Sequence, residues 1–150
     1  STLIAQHLDS TAVLMNIPGT LNIEDSRLEA NRQGLIVRCG NATVNNSTVK
    51  SNITTDTIQQ KNWDKYDNDN WGSGNEVPVA AVVVGNRGAE GAISYPYDAT
   101  LTSINSSFIT ASNRPVYAAG YNGHTATISG IDSADVIQST GFGGNVVINS

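Results

Sequence analysis

Residues 42–52 read Ala-Thr-Val-Asn-Asn-Ser-Thr-Val-Lys-Ser-Asn and contain the pattern that predicts the fold. An aliphatic residue is followed by an asparagine or acidic residue and then a small polar residue, often with a second aliphatic residue five positions after the first. The pattern recurs at intervals of 15, 21, 60, 27 and 17 residues. Such recurrence is typical of a solenoid, in which each coil lies on the previous one. The six copies begin at Leu8, Ile23, Val44, Ile104, Ile131 and Ile148.

Between successive copies of the pattern lies a second recurring feature, an apolar stretch that ends in glycine and asparagine. This feature occurs at residues 35–41, at 81–86 and, more loosely, at 116–122. We interpret the long interval as one coil that carries two loop excursions, residues 53–77 and 87–98. A solenoid tolerates such insertions because its stacked strands are unaffected by them.

Polar and apolar residues alternate with period two in residues 20–24 and 125–129, which predicts strands with one buried face. A β-sandwich or a barrel also consists of many short strands. A parallel solenoid explains in addition why one register recurs, because equivalent positions stack into columns. Aliphatic side chains then form an internal column, and polar side chains can form a hydrogen-bonded ladder. We expect that ladder to consist of Asp9, Glu24, Asn45, Asn105, Asp132 and Asn149.

The repeated phrases, residues 42–52 above all, resemble those of right-handed parallel β-helix proteins, the pectate-lyase-like superfamily. They are most similar to bacterial adhesin-like surface proteins, and residues 71–86 share this similarity. The resemblance implies an all-β, right-handed parallel β-helix of about five to six coils, forming a single domain over residues 1–150. It also implies an extracellular or cell-surface location, in a bacterial surface or secreted protein with a binding or structural role.

Neither end of the sequence contains the polar cap that a solenoid needs to cover its terminal strands. We therefore expect the chain to be a fragment of a longer solenoid. Uncapped coil ends also predict self-association, because exposed strand edges pair readily.

Composition excludes several classes of function. Eight basic and 13 acidic residues give a net charge of −5, the wrong sign for a surface that binds nucleic acid. No apolar run approaches the length of about 18 residues that a membrane-spanning helix needs. The single cysteine, Cys39, excludes an internal disulfide, and we expect it to be a small buried apolar residue.

The segment 61–71 contains both tryptophans of the chain, together with a tyrosine and several asparagine and aspartate residues. Aromatic rings stack on the C–H faces of sugars, and polar side chains bind sugar hydroxyls, so the segment is predicted to bind a glycan or a surface protein. In the alternative interpretation, the tryptophans form a lid that buries an apolar face of the solenoid. The predicted binding residues are Trp63, Asp64, Tyr66, Asp67, Asp69 and Trp71.

Residues 67–72 resemble the start of an acidic calcium loop, but Trp71 and Pro78 stand where oxygen ligands are needed. We predict no metal site and no cofactor, with calcium bound in another geometry as the alternative. The carboxylates are scattered over distant copies of the repeat, and His124 has no recognisable acidic partner motif. We therefore predict no catalytic residues. The alternative function is that of a fragment of a polysaccharide lyase or a glycoside hydrolase with the same fold.

Overall fold

The computed structural model of the chain describes residues 1–7, 10–52, 79–85, 97–110, 114–120, 123–139 and 143–150. These residues form fourteen strands and one 3-10 turn, Ser133–Asp135. The strands are β1 (Thr2–Ala5), β2 (Thr11–Met15), β3 (Thr20–Glu24), β4 (Arg27–Ala30), β5 (Gln33–Val37), β6 (Gly40–Asn45), β7 (Thr48–Ser51), β8 (Ala80–Gly85), β9 (Ala99–Ile104), β10 (Ser107–Thr110), β11 (Val116–Ala119), β12 (Thr125–Ser129), β13 (Val136–Ser139) and β14 (Asn145–Asn149).

The strands form three sheets, and every strand pair in them is parallel. Sheet A has the order β1-β4-β7-β10, sheet B has β13-β11-β8-β5-β2, and sheet C has β14-β12-β9-β6-β3. From β1 to β12, every third strand along the chain returns to the same sheet. The arrangement fits a parallel β-solenoid, and in the described part of the chain it contains no antiparallel pair and no closed barrel.

The core is built from side chains that stack in columns between the three sheets. In sheet C the inward column joins Leu21, Ala42, Leu101, Ile128 and Ile148 in direct register. Its members in the middle of the stack are fully buried, because alternate residues of a strand face the same side and strands stack about 4.8 Å apart. Cys39 is also fully buried, as predicted, and burial raises the pKa of its thiol.

The strands on either side of the long interval pair as though no insertion were present. Strand β7 pairs directly with β10, with Thr48 opposite Ser107, and β6 pairs with β9. The three apolar stretches that end in glycine and asparagine overlap β5, β8 and β11, which are neighbours in sheet B. Residues 53–77 of the first predicted excursion, and all of the second except Tyr97 and Asp98, lie outside the described residues.

The polar ladder exists, but its members differ from those predicted. Asn46 donates from Nδ2 to Asp25 Oδ1 at 2.6 Å, and Asn105 donates from Nδ2 to Asn46 Oδ1 at 3.5 Å. All three residues have positive φ, of 47° to 48°. Asparagine and aspartate tolerate this left-handed conformation better than most other side chains do. Each ladder residue follows a strand of sheet C and precedes a strand of sheet A, so the ladder marks the turn between these sheets.

Of the predicted ladder residues, only Asn105 lies in this stack. Glu24 and Asn45 do pair, but the residue opposite Asn45 in the next strand is Ile104, which is about half exposed. The repeat is therefore displaced by one position in β9. Asn149 pairs with Ser129, Asp132 caps the 3-10 turn, and Asp9 lies outside the described residues.

Candidate functional site

Both excursions attach to the ends of one strand, β8. The described chain is interrupted between Asn52 and Val79, just before β8, and again between Gly85 and Tyr97, just after it. Strand β8 pairs with β5 on one side and β11 on the other, and all six of its residues are buried. Six residues of strand span about 17 Å. The two insertions thus join opposite ends of the central strand of sheet B, which is paired on both sides.

A polar cluster holds the point at which the first insertion leaves the stack. The backbone N–H of Asn52 donates to the carbonyl oxygen of Ala30 at 2.9 Å, and its side-chain Nδ2 donates to Glu29 Oε1 at 2.6 Å. The other carboxylate oxygen of Glu29 accepts from Arg27 Nε at 2.9 Å. Both oxygens of Glu29 are therefore used, and the last described residue before the insertion is fixed to the preceding coil.

These contacts lower the pKa of Glu29 below its ordinary value: the hydrogen bond from Asn52 contributes most, followed by that from Arg27. A carboxyl whose pKa is lower in the folded state stabilises the fold above its unfolded-state pKa, and this stabilisation is lost as the pH falls through the folded-state pKa. We expect Glu29→Gln to reduce the loss of unfolding free energy between neutral and acidic pH, measured by urea unfolding. Glu24→Gln, an exposed glutamate of sheet C, is the control. Equal effects of the two substitutions would contradict this role of Glu29.

The second insertion rejoins the stack at Asp98. The backbone carbonyl of Asp98 accepts from the Gly40 N–H at 2.9 Å, and its side-chain Oδ1 accepts from the Thr125 N–H at 2.8 Å. His124 Nδ1 lies 3.5 Å from the same oxygen. Asp98 thus joins the coils before and after its own. It is also the acidic residue beside His124, and it has a structural role there because it binds the backbone of Thr125.

Among the described residues, sheet B is the only one of the three sheets with an apolar outer face. Its outward column joins Leu14, Ile36, Val83, Tyr117 and Ile137 in direct register. Val83 and Tyr117 are fully buried and Ile36 is nearly so, whereas Leu14 at the edge is 47% exposed. This outward apolar column crosses β8 at Val83, between the two insertion points.

The six predicted binding residues, Trp63, Asp64, Tyr66, Asp67, Asp69 and Trp71, lie outside the described residues, as does the proposed calcium loop. Within the described part of the chain, no group of three or more histidine, cysteine, aspartate or glutamate side chains could hold a metal ion. Asp132 and Asp135 line a small cavity of about 170 Å³ beside Phe108, at the end of sheet A. An open groove of about 490 Å³ lies at the opposite end, between β1 and β3.

Sequence reasoning did not identify the Asn52 cluster or the outer column of sheet B. Glu29 and Asn52 are 23 residues apart, which is one 21-residue coil plus two positions. Aligning the chain at that coil length would have placed them on neighbouring strands. The apolar stretches indicate that β5 and β8 are buried strands, but the outer column depends on their residue-by-residue register, which the insertion between them hides.

Among the described residues, no helix has the length and apolar character needed to cross a membrane. Comparisons with protein families, with characterised proteins and with solved structures found no match to this chain. The β-helix resemblance rests on the repeated residues of the sequence and on the three parallel sheets.

Proposed function

We propose that the chain is an extracellular binding or structural module of a bacterial surface or secreted protein, built as a right-handed parallel β-helix. One observation carries this proposal: both insertions attach to the ends of β8, a strand that is paired on both sides and buried along its length. Binding residues commonly lie on loops that a rigid scaffold holds in position. The stacked sheets act as the scaffold, and the 26 residues between Asn52 and Val79 form the displayed segment.

The ligand class that we propose is a glycan, with a surface protein as the alternative. The displayed segment contains both tryptophans of the chain and alternating aspartates, which suit sugar rings and sugar hydroxyls. The proposed contact residues are Trp63, Asp64, Tyr66, Asp67, Asp69 and Trp71. Asn52 and its partner Glu29 support the proposal from the scaffold side, because they fix the exit of the chain toward this segment.

We expect Trp63→Ala and Trp71→Ala each to weaken glycan binding about tenfold, which corresponds to ~1.4 kcal/mol. The loss follows from removing a stacking surface. A glycan array identifies the ligand, and titration with that glycan, followed by tryptophan fluorescence or calorimetry, measures the change. Tyr97→Ala is the matched control, since Tyr97 is an aromatic residue that is 47% exposed and lies outside the displayed segment.

The lid interpretation gives the opposite result in the same experiment. The outer column of sheet B is an apolar face between the insertion points, and tryptophans that covered it would contribute to stability. In that case both tryptophan variants lower the free energy of unfolding, and the wild-type protein binds no glycan on the array. The enzyme alternative is tested separately, by incubation with pectin with and without calcium, and unsaturated or reducing ends would support it.

A further inference from the structure

The two ends of the stack consist of edge strands that lack the usual protection. At one end the edges are β1, β2 and β3, and at the other they are β10, β13 and β14. Natural edge strands are commonly blunted by charged side chains or by proline, because an open edge accepts another strand. Among these six strands the only charged residue is Glu24, and none contains proline. Both ends therefore have the composition of strands that pair.

The first end contains an open apolar groove. It has a volume of about 490 Å³ and lies between β1 and β3, with Leu3, Ile23 and Leu28 in its lining. Leu3 and Leu28 are neighbours in the inward column of sheet A, but Leu3 is 47% exposed and Leu28 only 5%. Strand β1 forms one wall of the groove because sheet A begins one strand before sheets B and C. A strand added to the edge of β3 would fill this groove.

The opposite end has the complementary step. Sheet A stops at β10, whereas sheets B and C each continue for two more strands. Between β12 and β13 the chain forms the 3-10 turn in place of one strand of sheet A, and in the described part of the chain no strand of sheet A lies level with β13 and β14. The cavity of about 170 Å³ beside Phe108 lies at this step. The sheet that projects at one end is thus the sheet that is short at the other.

The directions of the backbone hydrogen bonds also match between the two ends. In β14 the N–H of Asn145 and the carbonyl of Asn149 bond to the coil behind them. Because successive residues of a parallel strand bond to opposite sides, Val146 and Ile148 direct their N–H and C=O groups to the free edge. In β3 the inward residues bond to β6, so Asn22 and the other outward residues face the free edge.

We propose that the chain associates head to tail with a second copy of itself, with β14 of one copy paired in parallel with β3 of the next. Val146 then lies opposite Leu21, and Ile148 lies opposite Ile23. In this register the inward apolar columns continue from one copy into the next, and the free N–H and C=O groups of the two edges meet.

The steps in sheet A favour a second copy over other occupants. When β14 meets β3, β13 meets β2, and the projecting β1 of the next copy enters the end at which sheet A is short. An unrelated extended peptide would fit β3 alone. Two copies placed head to head would bring two projecting β1 strands against each other. The inference does not depend on the displayed segment or on its proposed glycan ligand.

Sedimentation velocity of the whole 150-residue chain, over a range of concentrations, measures the association. We expect the mass to rise with concentration beyond that of a dimer, because a head-to-tail contact leaves a free end on every oligomer. Asn22→Pro and Ile148→Pro each remove an N–H that faces a free edge and that no strand pair within the chain uses. Each variant alone is expected to remain monomeric.

A mixture of the two variants distinguishes head-to-tail from head-to-head association. The Asn22→Pro chain keeps its β14 end and the Ile148→Pro chain keeps its β3 end, so we expect the mixture to form a one-to-one dimer and nothing larger. The matched controls are Asn22→Ala and Ile148→Val, which retain the N–H and are expected to associate as the wild type does.

Circular dichroism and urea unfolding establish that each variant is folded. Thr20→Pro, at the first position of β3, replaces Asn22→Pro should that variant not fold. A wild-type chain that stays monomeric at every concentration would overturn the proposal. A proline variant that dimerises on its own would overturn it too, since like ends would then be in contact, and so would a mixture that forms no dimer.

Discussion

Replacing Gly85 with alanine is expected to cost more than about 4 kcal/mol of unfolding free energy, a large fraction of the stability of an ordinary domain. A Cβ atom at this position would lie 1.8 Å from the carbonyl oxygen of Ala119 and 3.1 Å from the Cβ of Ala126. Gly85 and Ala119 are opposite each other in β8 and β11. The clash therefore involves backbone atoms of a paired strand, which cannot move away without breaking the register of sheet B.

Gly123 offers a control that separates this clash from backbone strain. Gly85 has a φ of +105° and Gly123 has a φ of +84°, so alanine is strained at both positions, but a Cβ at Gly123 meets no atom within 4 Å. We expect Gly123→Ala to cost about 1–2 kcal/mol, the strain of the left-handed region alone. Urea unfolding followed by circular dichroism measures both values. Similar costs for the two variants would show that β8 and β11 do not pack as closely as described.

Leu101→Ala is expected to destabilise the protein by about 2–5 kcal/mol, the usual cost of removing a fully buried leucine side chain. Leu101 is completely buried in the middle of the inward column of sheet C, between Ala42 and Ile128. Its neighbours in the column belong to coils whose backbones are hydrogen-bonded in place. The cavity left by the truncation can therefore collapse only partly, which places the expected cost toward the upper part of the range.

The same column contains a matched control for this substitution. Leu21 is two strands away from Leu101 in the column and lies in β3, at the edge of the sheet, where it is only partly buried. We expect Leu21→Ala to cost less than half as much as Leu101→Ala, because a side chain with solvent on one side leaves no enclosed cavity. The measurement is the change in free energy of unfolding in urea. A larger cost at Leu21 than at Leu101 would contradict the stacked core.

The parallel stacking was predictable because it depends on residue types that recur. The pairing of Ile23 with Val44 follows from the second and third copies of the repeat, which are 21 residues apart and have no insertion between them. The three apolar stretches likewise recur in the sequence, and they form the centre of sheet B. Fully buried strands need apolar residues on both faces, so this signal survives insertions of any length.

The ladder could not be placed correctly from the pattern alone. An aliphatic residue in the pattern was assumed to point inward, but Ile104 points outward and Ser103 takes the inward position opposite Val44. The ladder residues Asp25, Asn46 and Asn105 share a positive φ. The type of a single residue predicts this backbone conformation only weakly. The serine that follows each ladder residue is the more regular signal, because Ser26, Ser47 and Ser106 each donate a hydrogen bond to the carbonyl two residues earlier.

The candidate site was predictable only in outline. The sequence indicates where the insertions occur, since the repeat is interrupted there, and the six residues from Trp63 to Trp71 remain a prediction. The contacts that anchor the insertions were missed, because Asn52 and Asp98 are held by residues of other coils, Glu29 and Thr125 among them. The choice of those partners depends on the three-dimensional register and on no local motif.

The unequal lengths of the coils also bear on how the chain folds. Asp25 and Asn46 are brought together by closing 21 residues, whereas Asn46 and Asn105 require 59. The entropy of loop closure makes the longer closure more costly by about 0.9 kcal/mol, and contacts between residues far apart in sequence form slowly. We therefore expect strands β3 to β7 to assemble early, and the pairing of β6 with β9 and of β7 with β10 to be the late step that joins the two halves of the stack.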